Sequence, residues 1–223
     1  MKEKRKVLGT GIDVCTAKQA MKEVLRYMDS EPISVIEVLR VNTLMDAMQD
    51  EALKENIENM DLVLPGEKKI LEEIENCDRR VLQEVQTGTH LKMILRYLKG
   101  NHLRVYFLLD DEKDGGDFLE KVKHSYQGLQ VTGVHFVTED QPDDFIVNAI
   151  NGAEADCVIS LLSSPLQEDF IIRNRNILNA RIWIGGGRIL KELIVGGRQR
   201  QNLLHMITGH IFRKEMKKDR KEL

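Results

Sequence analysis

Six short runs of β-branched and aliphatic residues, separated by longer stretches with helical spacing, constrain this chain more than any other feature. They read SVIEVLRV at 34–41, DLVL at 61–64, LRVYFLL at 103–109, LQVTGVHFV at 129–137, CVISLL at 157–162 and RIWIG at 181–185. Strands alternating with helices are the pattern of βαβ units. Several runs are apolar at consecutive positions, as strands must be when helices cover both faces of a parallel sheet. The expected fold is α/β: a single-core, open, mostly parallel sheet flanked by helices, with a basic helix at the C-terminal end.

Between the runs, apolar residues recur every three or four positions. Met21, Val24, Leu25 and Met28 form one such stripe, and Leu91, Ile94, Leu95 and Leu98 another. DDEKDGGD at 110–117 reads as a loop ahead of the helix FLEKVKHSY, and QPDD at 141–144 opens another helix with Pro142 near its first turn. A chain of 223 residues suits one core. The expected organisation is an α/β domain over 1–197 and a basic amphipathic helix over 198–223.

Charge and cysteine usage exclude several classes. From Arg198 to Leu223 there are eight basic and three acidic residues, so this segment carries +5 while the rest, out of a net −3, carries −8. So acidic a body argues against nucleic-acid binding, whereas the basic end suits an anionic surface. Cys15, Cys77 and Cys157 are three, far apart, and form neither a disulfide framework nor a metal knuckle. His205 and His210 are five positions apart rather than the four of a metal-binding helical face, so neither metal nor cofactor is expected. MKEKRKVLGTGIDV lacks the apolar stretch of a signal peptide, and no later segment approaches a membrane span. The expectation is a cytoplasmic protein, peripheral at the inner membrane face if its basic end engages lipid.

In open α/β sheets ligands sit beyond the carboxyl ends of the strands. After CVISLL comes SSPLQEDFIIRNRNIL, where Ser163 or Ser164 caps a helix, Pro165 fits its first turn, and Gln167 and Glu168 fall at the positive end of its dipole. These residues either start a helix and nothing more, or offer free N–H groups and a forked amide to a nucleotide or sugar. After RIWI come Gly185, Gly186 and Gly187, which do not match a dinucleotide fingerprint and serve a turn or close packing.

In this order MDLVLPGEKKIL, LQEVQTGTHLKMIL, LLSSPLQEDFIIRNRNIL and RIWIGGGRIL resemble the WecG/TagA/CpsF family of bacterial glycosyltransferases over roughly residues 7 to 190. The resemblance implies a Rossmann-like fold. It also implies transfer of an N-acetylhexosamine from a UDP-sugar donor to a polyprenyl-diphosphate-linked acceptor, in cell-surface polysaccharide or teichoic-acid synthesis. Thr87, Gly88, Pro165, Gln167, Glu168, Arg173, Asn174, Gly185 and Gly186 match positions that hold or shape the nucleotide-sugar pocket of that family.

Other positions depart from the family's pattern. The Asp that the resemblance makes the base aligns with Gly66, the glycine after it with Glu67, a second Asp with His90, and an Arg with Val85. An early Thr-x-Asn meets Arg40 in ungapped pairing, with Asn42 and Thr43 nearby, and a Phe-Asp pair falls on Arg188 and Ile189. Glu67 is either a displaced base or a first-turn helix carboxylate; His90 is either an acid/base group or a half-buried surface residue. The alternative function is accordingly a non-catalytic nucleotide-sugar-binding or scaffold protein derived from that family. In the tail, Leu203, Leu204, Ile207, Ile211 and Phe212 form a stripe beside Arg213, Lys214, Lys217, Lys218 and Arg220. Such a helix packs on the body or on a second protomer of a homo-oligomer, or lies on anionic lipid beside the acceptor.

Overall fold

The computed structural model describes residues 3–110, 112–138, 141–195 and 203–222. Nothing in the six apolar runs marks the hairpin with which the chain starts, β1 (Glu3–Val7) and β2 (Thr10–Val14), paired antiparallel around Leu8 and Gly9. Both turn residues have positive φ, 50° and 75°, as two-residue hairpin turns favour. There follow α1 (Ala17–Met28), β3 (Ser34–Leu39), α2 (Val41–Ala47), α3 (Glu51–Glu58), β4 (Leu62–Pro65), α4 (Lys68–Glu72), α5 (Arg79–Gln86), α6 (Thr89–Gly100) and β5 (Arg104–Leu109). The chain continues through α7 (Glu112–Ser125), β6 (Gln130–Phe136), α8 (Asp143–Gly152), β7 (Cys157–Ser160), α9 (Leu166–Asn174), β8 (Ile182–Gly185), α10 (Gly187–Val195) and α11 (Leu203–Glu222).

Each of the six runs contributes one strand to a parallel sheet in the order β4-β3-β8-β7-β5-β6. Alternate strand residues face opposite layers. Ile36, Val38, Leu62, Leu64, Val105, Phe107, Ile159 and Ile184 pack with α1, α6, α7 and α10. On the other face Val35, Leu39, Val63, Leu108, Val158 and Trp183 pack with α2, α3, α8, α9, α11 and the hairpin. Trp183 is fully buried and stacks on Phe170 of α9, with 5.8 Å between ring centroids. Its indole fixes α9 over β8.

Three local expectations are corrected. In α1 the buried residues are Ala17, Ala20, Val24 and Tyr27, while Leu25 is exposed and Met21 and Met28 are half-buried. Small Ala17 and Ala20 let the helix lie close to its neighbours. The 110–117 segment is mostly helix, because α7 begins at Glu112. Gly115 suits that helix, since a Cβ there would stand 2.5 Å from the ring of Phe136. Neither Ser163 nor Ser164 caps α9: Pro165 holds the N-cap position without a side-chain bond, and the Ser163 hydroxyl donates to Asp110.

Phe212 and Met216 of α11 are buried in the layer that contains α2, while Ile211 is exposed. The side chains of Leu203, Leu204, Ile207 and Arg220, and the 197/198 boundary, lie outside the described residues.

Candidate functional site

A cleft of about 380 Å³ opens beyond the carboxyl ends of β3, β8, β7 and β5, where parallel α/β sheets present their ligand sites. Its wall has a charged rim and a buried floor. Arg40, at the exit of β3, and Arg188 and Lys191, on the first turns of α10, supply positive charge to the rim. Asp46 of α2 and Asp110 after β5 also face it. Both α9 and α10 begin here, and the first-turn N–H groups of a helix attract anions.

The floor is built on Glu37, in the middle of β3 and only 2% exposed. Gln167 of α9 donates from Nε2 to Glu37 Oε1 at 2.7 Å. Across the sheet Glu37 is in register with Gly185 of β8. A Cβ at Gly185 would stand 2.0 Å from Glu37 Oε2 and 2.7 Å from Gln167 Nε2. Gly185 is thus a glycine because two polar side chains lie directly over its backbone.

Three buried acceptor oxygens of the cleft wall have no hydrogen-bond partner of good geometry: Glu37 Oε2, Gln167 Oε1 and Glu168 Oε2. Such atoms are rare, and each costs about 1 to 3 kcal/mol when left unmet. Burial lifts the Glu37 carboxyl well above the usual range, and the charge of Glu168 pushes it further. Burial also raises Glu168 to about 7, helped by Asp169 and Asp46. The floor therefore holds two carboxyls whose burial favours the neutral form, and of the two Glu168 is raised to about 7.

Of the residues singled out in the sequence, Gln167, Glu168 and Gly186 line the cleft, and Gly185 lies beneath its floor. Pro165 is exposed at the start of α9. Thr87 and Gly88 form the turn from α5 to α6, where Thr87 Oγ1 donates to the Gln83 carbonyl at 2.9 Å and Gly88 has φ 64°. Arg173 and Asn174 are bonded to Asp143 of α8. His90 is buried, with Nε2 3.0 Å from the carbonyl oxygen of Cys15, and burial lowers its pKa. Glu67 is buried behind the rim, where its Oε1 accepts from Arg40 Nε at 3.3 Å. The structure thus draws neither His90 nor Glu67 into the cleft lining. Gly66 donates to the Leu39 carbonyl at 2.8 Å, and a Cβ there would stand 2.7 Å from that same oxygen.

Glu37 carried a sequence signal that periodicity alone passes over: one acid inside SVIEVL, a run apolar enough to be covered on both faces. Arg188 stands out only as a departure from the family's pattern, and Lys191 is marked only by following a strand end.

Sheet order and cleft position define a Rossmann-like α/β protein with a cleft at the carboxyl edge of its parallel sheet. Residues 5–201 match the glycosyl transferase WecG/TagA/CpsF family, and the chain belongs to that family. A search of curated proteins finds no match. Among the described residues no helix is long and apolar enough to cross a membrane.

Proposed function

We propose that this chain transfers an N-acetylhexosamine from a UDP-sugar to a polyprenyl-diphosphate-linked acceptor, a step in making cell-surface polysaccharide or teichoic acid. The observation that carries the reading is the division of the cleft. Arg188, Lys191 and the start of α10 suit a diphosphate, while the unpartnered Oε1 of Gln167 suits a hydroxyl or amide N–H group of a sugar. Transfer needs a group that takes the acceptor's proton and positive charge that stabilises departing UDP. The rim supplies the second. The +5 segment at 198–223 would bring the protein to an anionic bilayer holding the acceptor.

Calorimetry with UDP and UDP-N-acetylhexosamines tests donor binding, and Arg188→Ala with Lys191→Ala is expected to weaken it at least about tenfold. Absence of UDP binding at millimolar concentration would refute the reading. Co-sedimentation with anionic vesicles, lost on deleting 198–223, tests the membrane part. A second reading, a nucleotide-sugar-binding protein without turnover, draws support from Gly66, whose packing against the Leu39 carbonyl leaves no room for a side chain without a shift. It predicts donor binding without acceptor-dependent UDP release.

A further inference from the structure

The cleft wall contains several carboxyl groups, and their surroundings differ enough to separate their roles. Asp110 is exposed and accepts from Ser163, and Asp46 is also exposed. Glu67 lies behind the rim, outside the cleft lining, where its Oε1 accepts from Arg40. Glu37 lies under the floor against Gly185, and its Oε1 already accepts from Gln167. Glu168 shares with Glu37 its deep burial and an Oε2 acceptor without a partner in the cleft wall. It stands, however, on the first turn of α9, with the Ser164 hydroxyl beside its carboxyl and no Gln167 amide on its other oxygen.

We propose that Glu168 is the catalytic base, receiving the proton of the acceptor hydroxyl at Oε2 as the new glycosidic bond forms. This rests on the transferase reading above. In the step, the acceptor O–H bond breaks, its proton passes to Glu168, and the oxygen's electron pair forms the bond to the anomeric carbon. The bond from that carbon to the UDP oxygen breaks, and its electron pair leaves on the β-phosphate, beside Arg188 and Lys191. Glu168 ends as a neutral acid and returns its proton to solvent when the products leave.

The neighbourhood suits a base that works near neutrality. Asp169 on its own helix and Asp46 from α2 disfavour the charge of Glu168, while its own backbone N–H and the Ser164 hydroxyl favour it; Glu37, Asp110, Arg40, Arg188 and Lys191 line the same cleft. Burial dominates, and the group titrates near 7. Through its bond to Gln167 Nε2, Glu37 turns the amide so that Gln167 Oε1 is the atom presented as an acceptor. A sugar hydroxyl held there would sit next in sequence to the base.

The test uses the full chain, UDP-N-acetylmannosamine or UDP-N-acetylglucosamine, and a short-chain polyprenyl-diphosphate-N-acetylglucosamine acceptor. UDP release is followed from pH 5 to 9 for the wild type, Glu168→Gln and Glu168→Asp, with UDP affinity measured for each by calorimetry. In the wild type kcat/KM is expected to rise with pH to a plateau, with its midpoint near 7. Glu168→Gln is expected to lower kcat at least about 100-fold while UDP affinity stays within about threefold, which also reports an intact fold. Glu168→Asp keeps a carboxylate and retains measurable turnover with a displaced pH limb. Turnover by Glu168→Gln within about fivefold of wild type, with the same pH limb, overturns the proposal and leaves the transferase reading standing. A wild type that binds UDP but never releases it from donor overturns the base and favours the binding-protein reading. Failure to bind UDP removes both.

Discussion

At the C-terminal end of α9, Arg173 donates from Nε to Asp143 Oδ2 at 3.0 Å, and Asn174 Nδ2 donates to Asp143 Oδ2 at 2.7 Å and to the Phe170 carbonyl at 2.8 Å. About two turns away, at the N-terminal end of the same helix, Gln167 Oε1 and Glu168 Oε2 are buried with no partner. One end is satisfied by its own fold; the other holds buried acceptors in the wall of the cleft. The stretch PLQEDFIIRNR, a single motif in the sequence, thus divides into a part that faces chemistry and a part that anchors it. Phe170, between the two ends and stacked on Trp183, keeps them in register with the sheet.

The largest expected effect breaks the comparison by removing its fulcrum. Phe170→Ala should cost about 3 to 5 kcal/mol, read from urea unfolding, and should abolish donor binding as well. Binding retained by the folded fraction would show that the cleft end does not depend on the core stack. Next comes a pH effect at the unsatisfied end. The unfolded chain releases the Glu168 proton near its ordinary 4.5, whereas the folded protein keeps it until about 7. The folded state binds the extra proton in that window, so stability falls as pH rises from about 4.5 to 7. The total is on the order of 3 kcal/mol. Unfolding curves across pH 4 to 8 should show a shallower fall in Glu168→Gln than in the wild type, the remainder coming from Glu37, which burial also raises.

Smaller effects belong to the anchored end. Asp143→Ala leaves the Asn174 amide and the Arg173 guanidinium without their shared acceptor and should cost about 1 to 3 kcal/mol, with UDP affinity unchanged. A loss of affinity would show that the two ends communicate. Arg173→Ala removes only the exposed arm of this cluster, and its cost should stay under about 1 kcal/mol by the same unfolding assay.

The sheet was legible because its strands are apolar at consecutive positions, a pattern that few other structures require. All six runs became strands. The hairpin escaped because Glu3–Val7 is charged and exposed until its last residue, and Leu-Gly is a weaker turn signal than Asn-Gly. Gln167 and Glu168 were legible as residues just past a strand end. Glu37 was not, because its meaning depends on a neighbour brought up by β8, far along the chain. Arg173 and Asn174 show the reverse limit: adjacency in a motif does not specify which way a helix turns its side chains, and their partner Asp143 lies on another element.

The crossing of Glu37 over Gly185 also has a historical consequence. A methyl group at 185 would displace the acid, whereas a small residue at 37 would leave space above the glycine. Each single change passes through a less stable protein, so descendants of this chain are expected to inherit the two positions as one character and to alter both or neither.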